Sequence, residues 1–268
     1  MAQVWAVLAV KNEADIIAAT LAHLDSEHLA GIVVCDNGST DGTRDLIADF
    51  ASAADTRTVV DDDPDPGYYQ SARMTRLAAV AGDHGAEWVL PVDADELWYS
   101  PPAPLGDHLA DVRRDVNVLH VTLWNHWATA LDPSGHPFTS MRYRDGKPGA
   151  LGKVAVRFTP GMVIDQGNHS ASFAGARLEA GWSDLAIRHF PYRSADQFVA
   201  KARTGAAAYA ATDLPADMGA HWRQYGQILD LHGPDALADV FRHHFWHLSP
   251  IDDHMVEDPA PFRRWAAP

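Results

Sequence analysis

Apolar residues at the front of this chain gather into short unbroken runs, and each run breaks off into polar or acidic residues. Val4-Trp5-Ala6-Val7-Leu8-Ala9-Val10 is continuous and apolar, as expected for a strand buried on both faces of a sheet. Lys11-Asn12-Glu13 ends it, and residues 14–24 then place Ile16, Ile17, Thr20, Leu21 and Leu24 at helical spacing. Gly31-Ile32-Val33-Val34-Cys35 predicts a second strand, closed by the turn Asp36-Asn37-Gly38-Ser39-Thr40-Asp41-Gly42-Thr43, with helix from 44 to 50. Residues 56–60 predict a third strand, ending in an acidic loop at 61–67. Residues 69–81 predict a helix, and residues 87–92 a fourth strand. Strand and helix alternate throughout, which means βαβ units and a parallel sheet with right-handed crossovers.

Beyond residue 100 the pattern changes. Residues 116–124 and 153–158 alternate like sheet strands, and 171–181 and 185–189 read as shorter ones. A Gly- and Pro-rich stretch at 132–152 is a candidate mobile loop. From Ser194 the periodicity is helical, over 195–211, 218–231 and 235–247, before a proline-rich tail expected to be irregular. The expected organisation is one α/β domain, with a first half at 1–100, a second half at 101–192 and a helical region at 193–268.

Composition narrows the function. The 268 residues are 47% hydrophobic and 21% charged, ordinary for a globular chain. A net charge of -15 argues against nucleic acid or an anionic membrane as partner. A phosphate-bearing substrate would therefore need local Lys, Arg or a cation. No apolar run approaches the ~20 residues that span a bilayer, and the opening run lacks the basic flank of a secretory signal. The single cysteine, Cys35, suits a reducing compartment. A cytoplasmic protein is expected.

The chemistry gathers at strand ends. Asp93-Ala94-Asp95-Glu96 puts three carboxylates after the fourth strand. In extended backbone Asp93 and Asp95 point the same way and can share a cation. With Lys11-Asn12-Glu13 and Asp36-Asn37-Gly38-Ser39 they fall on the carboxyl edge of a parallel sheet, where ligands bind. Among residues outside these turns, Lys153 and Arg157 share one strand face as basic candidates. The aromatic side chains of Trp98, Trp124, Trp127 and Trp182 could stack on a sugar, though packing is the commoner role. His243, His244 and His247 lack the H-E-x-x-H pattern of a zinc enzyme. Residues 146–153 miss P-loop spacing, and no G-x-S-x-G or G-x-G-x-x-G occurs.

Three stretches carry a resemblance: Val10-Lys11-Asn12-Glu13, the D-N-G-S-T-D-G-T string at 36–43, and Trp88-Val89-Leu90-Pro91-Val92-Asp93-Ala94-Asp95-Glu96. Over roughly its first 100 residues the chain resembles the inverting GT-A glycosyltransferases of family 2. Residues 187–194, with Phe198 and Lys201, are similar to a C-terminal motif of some members. The resemblance implies a GT-A type, Rossmann-like, mainly parallel sheet with a C-terminal helical extension. It also implies a nucleotide-diphosphate sugar donor, with UDP expected over GDP or dTDP on base rate alone, and Mn2+ or Mg2+ at the D-x-D motif. The acceptor would be a small molecule, a glycan or a peptide.

By the same resemblance Asp36 would meet the base or ribose, with Gly38 beside it and Ala9, Lys11, Asn12 and Glu13 forming the floor. Arg73 or Arg76 would reach the base or phosphate. Asp93, Ala94, Lys153, Arg193 and Lys201 would surround the diphosphate, and His189 would join Asp93 and Asp95 as a metal ligand. Inverting transfer needs a general base, for which His169, Glu96 and Asp165 are the candidates. A sugar nucleotidyltransferase would share the layout but should carry a Gly-rich basic loop after the first strand, unlike Lys11-Asn12-Glu13. A non-catalytic nucleotide-sugar or glycan-binding module is opposed by the intact acid pair.

Overall fold

The computed structural model describes residues 2–258. Four parallel strands open the chain: β1 (Val4–Val10), β2 (Gly31–Asp36), β3 (Thr58–Asp62) and β4 (Trp88–Val92). Helices α1 (Ile17–Asp25), α2 (Thr43–Ala53) and α3 (Gln70–Asp83) join them, and in the sheet they lie in the order β4-β1-β2-β3. All seven residues of β1 have little or no exposure, and alternation along the strand divides them. Val4, Ala6, Leu8 and Val10 enter one core with α1 and Ile47 of α2, while Trp5 and Val7 enter another with Met74, Leu77, Ala78 and Ala81 of α3. Both faces being covered, the strands read as unbroken apolar runs.

The second half extends this sheet. After β5 (Glu96–Tyr99) and α4 (Leu105–Ala110) comes β6 (Val118–Thr129), twelve residues long. The expected loop at 132–152 holds regular structure, α5 (Pro137–Ser140) and β7 (Tyr143–Arg144). Next come β8 (Lys153–Arg157), and β9 (Met162–Ile164), β10 (Ala171–Phe173) and β11 (Ala176–Arg177) as a separate three-stranded sheet, then β12 (Ala186–His189). β8 lies antiparallel between β4 and β6, while β12 pairs with β5 on one side and β6 on the other. The run at 171–181 is thus a short hairpin of β10 and β11 rather than a single strand.

Helices α6 (Ala195–Ala210), α7 (Ala220–His232) and α8 (Pro234–His244) pack around Phe190, Phe198, Leu237 and Phe241, and two short strands, β13 (Trp246–His247) and β14 (Val256–Glu257), follow. The rest of the proline-rich tail, from 259, lies outside the described residues. Ser194 caps α6 by accepting a bond from the Gln197 N–H at 3.1 Å.

Candidate active site

The turn after β2 laces the strand-end loops together. Ser39 Oγ accepts from the Asn12 N–H at 2.9 Å, Asn12 Oδ1 accepts from the Thr40 N–H at 2.8 Å, and Thr43 Oγ1 accepts from the Glu13 N–H at 2.9 Å. Asp41 accepts from the Ala14 and Thr43 N–H groups at 3.1 Å, and Asn37 Nδ2 donates to the carbonyls of Asp63 and Asp65 at 2.8 and 2.6 Å. Gly38 and Gly42 sit at φ of 68° and 96°, a region that a side chain would strain. The D-N-G-S-T-D-G-T string therefore folds as a bracket that fixes Lys11-Asn12-Glu13 and the acidic loop after β3.

Register brings the acids to their partners. β8 runs antiparallel to β4, so Lys153, at its start, reaches the carboxyl end of β4. Its Nζ lies 2.5 Å from Asp93 Oδ2 and 3.3 Å from Glu96 Oε1. Arg157 ends at the opposite end of β4, pairing with Glu87 and lying over the Trp88 ring. Asp93 Oδ1 also accepts from Gln70 Nε2 at 3.1 Å and Asn168 Nδ2 at 3.2 Å. Asp95 pairs with Lys201 of α6, whose Nζ is 3.4 Å from Glu13. Arg193 closes the network, donating to Glu13 Oε2 at 2.6 Å and to Asp15 at 2.7 and 2.8 Å.

Burial alone would raise the pKa of Asp95. The charges of Lys201 and Arg193 outweigh that and hold Asp95 well below the carboxylate range. Burial likewise opposes the charge on Lys153 and Lys201, and neighbouring carboxylates reverse it, raising both. Burial lifts Glu13, with Lys201 and Arg193 opposing.

β12 sets His189 opposite Glu96 on one side and Asn125 on the other. His189 Nδ1 lies 2.8 Å from Asn125 Oδ1, while Asn125 Nδ2 is directed to Asp145 at 3.4 Å. The amide oxygen faces the ring, so Nδ1 carries the proton and Nε2 is bare. Nε2 stands 3.7 Å from Asp95 Oδ1, and burial lowers the pKa of His189 to about 4. Two lone pairs thus face each other without a proton between them.

A cavity of about 360 Å³ lies between the sheet edge and α6. Gln197, Ala200, Lys201, Thr204, Gly205 and Ala208, spaced three and four apart, present one face of α6 to it. Of the residues expected from sequence, Ala9, Lys11, Asn12, Glu13, Arg73, Asp93, Ala94, Asp95, His189 and Lys201 line it. Lys153 and Arg193 stand behind, bonded to lining carboxylates. Asp36 and Gly38 do not line it. Asp36 is buried and accepts from the Ser39 N–H at 3.2 Å. Arg73 holds Asp63 at 2.7 Å, whereas Arg76 pairs with Asp61 outside the cavity.

The three expected bases stay off the wall, and each has a structural reason. Glu96 is fully enclosed, accepting from the Asp93 N–H at 3.1 Å and Trp98 Nε1 at 2.9 Å. His169 Nδ1 meets the Gly152 carbonyl at 2.7 Å, and Asp165 accepts from Ser170 and Ser172. None of Trp98, Trp124, Trp127 and Trp182 lines the cavity. Trp222 does, with Tyr68, Tyr192 and Tyr209. The sequence reading missed these aromatics and the amides Gln70, Asn125 and Asn168. The polar ones sit in or beside pattern-bearing segments, with nothing to single them out.

Burial first, and the Asp93 charge with it, raise Glu96 from 4.5 to about 7 against the pull of Lys153. A raised folded pKa means that the folded state holds the proton longer. The associated stability is present below 4.5 and lost as pH rises toward about 7. Glu96→Gln is expected to flatten that decline, which denaturant unfolding at pH 5 and 7.5 would reveal. An unchanged slope would show that another group titrates.

A parallel α/β sheet thus carries an acid pair at the end of β4, facing a cavity roofed by a cation-bearing helix. Residues 5–122, a little under half of the chain, match the family model described as glycosyl transferase family 2. No curated protein matches the sequence. Similar solved structures include the mannosyltransferase PcManGT from Pyrobaculum calidifontis in complex with GDP-Man and Mn2+, at 17% identity and TM-score 0.46, covering 89% of this chain and 73% of that one. S. aureus TarS 1-349 in complex with UDP is 14% identical at TM-score 0.40, covering 86% of this chain and 72% of its own. Glucosyl-3-phosphoglycerate synthase from Mycobacterium tuberculosis, in complex with phosphoglyceric acid, is 17% identical at TM-score 0.32, covering 58% and 57%.

Proposed function

We propose that this chain moves a sugar, with inversion, from a nucleotide-diphosphate donor to the hydroxyl of a small-molecule, glycan or peptide acceptor, with UDP as the nucleotide and Mn2+ or Mg2+ as cofactor. The observation that carries this reading is the bare pair Asp95 Oδ1 and His189 Nε2, 3.7 Å apart at the carboxyl edge of the sheet. An anionic oxygen and a neutral imidazole nitrogen fit a divalent cation, and the histidine tilts the choice toward Mn2+. The Nδ1–H bond to Asn125 is the outer contact that fixes such a ligand's tautomer. Asp95 and His189 would hold the ion, with Asp93 adjacent and its charge offset by Lys153. When bound, the ion would neutralise the charge that gathers on the departing diphosphate.

The chain's own groups support that role. Lys201 and Arg193 keep Asp95 ionised, while Gln70 and Asn168 fix the Asp93 carboxylate. Helix α6 covers the cavity, and excluding water there strengthens every charge interaction. No described helix is long and apolar enough to cross a membrane. With Cys35 buried and unpaired, a cytoplasmic location is the reading that fits.

Calorimetry with UDP, GDP and dTDP, with and without Mn2+, tests the proposal. UDP is expected to bind, and chelation to weaken it about tenfold or more. Binding indifferent to the metal would remove the cation from the scheme. A screen of sugar-nucleotide hydrolysis would then identify the donor without knowledge of the acceptor.

A further inference from the structure

We propose that the Tyr68 hydroxyl is a donor-binding group that hydrogen-bonds the diphosphate of the incoming nucleotide sugar, an assignment that rests on the nucleotide-sugar reading of the cavity. Tyr68 lies in the loop between β3 and α3 and shares the cavity wall with Asp93 and Asp95. Everything about it except the hydroxyl is tied down. Its N–H donates to the Ala208 carbonyl of α6 at 3.2 Å, its carbonyl accepts from Gln166 Nε2 at 3.3 Å, and its ring stands 4.8 Å from that of Tyr209.

The hydroxyl itself has no hydrogen-bond partner among the described residues. Burial first, then the charge of Asp93, keep its proton in place, and Lys153 and Asp95 also act on it. The group therefore sits within the field of the acid cluster as a fixed, neutral donor. The Asp93 carboxylate is already occupied, taking bonds from Lys153, Gln70 and Asn168. The nearby cations are also committed: Lys153 is shared by Asp93 and Glu96, and Lys201 by Asp95 and Glu13. A diphosphate entering this space brings acceptor oxygens, and an O–H already held in position forms a charge-assisted bond to one of them with little ordering cost.

Tyr68→Phe tests this, since it keeps the ring, the contact with Tyr209 and the Ala208 bond while deleting one oxygen. In the full chain with Mn2+, the UDP Kd is expected to rise about tenfold or more. Uridine, measured as a competing ligand, should be unaffected, and kcat/KM for the donor should fall at least as far as UDP affinity. UDP affinity and kcat/KM within twofold of wild type would overturn the assignment. So would equal weakening of UDP and uridine, which would assign Tyr68 to the shape of the pocket. If the wild-type chain binds none of UDP, GDP and dTDP, the nucleotide reading itself falls, and Tyr68 falls with it.

Discussion

Asp95→Asn is expected to lower sugar transfer by about a thousandfold and to abolish its response to Mn2+. The substitution is nearly isosteric, so the cavity keeps its shape. What changes is charge: the carboxylate facing both the bare nitrogen of His189 and the ammonium of Lys201 becomes a neutral amide. Removing one preorganised electrostatic group from an enclosed site commonly costs a factor of about 100 to 1000 in turnover. Here the same group would also hold the cation, so the upper end is expected. Steady-state rates across a Mn2+ titration are the measurement, with circular dichroism confirming the fold. Activity within tenfold of wild type would leave the acid pair without its proposed role.

Arg193→Met should act mainly on stability. The guanidinium is 2% exposed and donates to Glu13, to Asp15 and, at 3.1 Å, to the Phe190 carbonyl. It thereby ties the segment between β12 and α6 to the loop after β1. Deleting one partner from a buried charge cluster costs about 3–5 kcal/mol, because the remaining carboxylates lose their compensation. For a domain of this size that corresponds to a Tm lower by about 6–20 °C. Differential scanning calorimetry would measure it, and a change under 2 °C would mean that water replaces the guanidinium without cost. Because α6 roofs the cavity, transfer should fall with the melting temperature.

The parallel sheet was legible because its strands are buried on both faces, and burial of that kind leaves unbroken apolar runs such as residues 4–10. The three strand-end motifs were legible for a related reason. Polar residues that follow such a run have only the sheet's edge to occupy. Helices α6 to α8 were visible through their period, and Lys201 through its neighbours. β5 was not, since Glu96-Leu97-Trp98-Tyr99 is four residues long and acquires its partner only from β12, far along the chain.

The roles within the site were decided by tertiary structure. Glu96 and Asp95 are adjacent in sequence, yet Asp95 closes the turn after β4 and faces the cavity, whereas Glu96 opens β5 and is enclosed. Lys153 and Arg157 share a strand face, yet the antiparallel register of β8 delivers only Lys153 to the acids. His169 turns to the Gly152 carbonyl and Asp165 to the serines of its own hairpin, instead of to the cavity wall. Tyr68 carries no periodic mark at all, and it enters the site because α6 folds back over the loop that holds it. Local pattern along the chain determined which segments bury and where their polar ends emerge. Only long-range pairing could decide which carboxylates meet a lysine, which histidine nitrogen stays bare, and what covers the cleft, because those outcomes depend on register between residues distant in sequence.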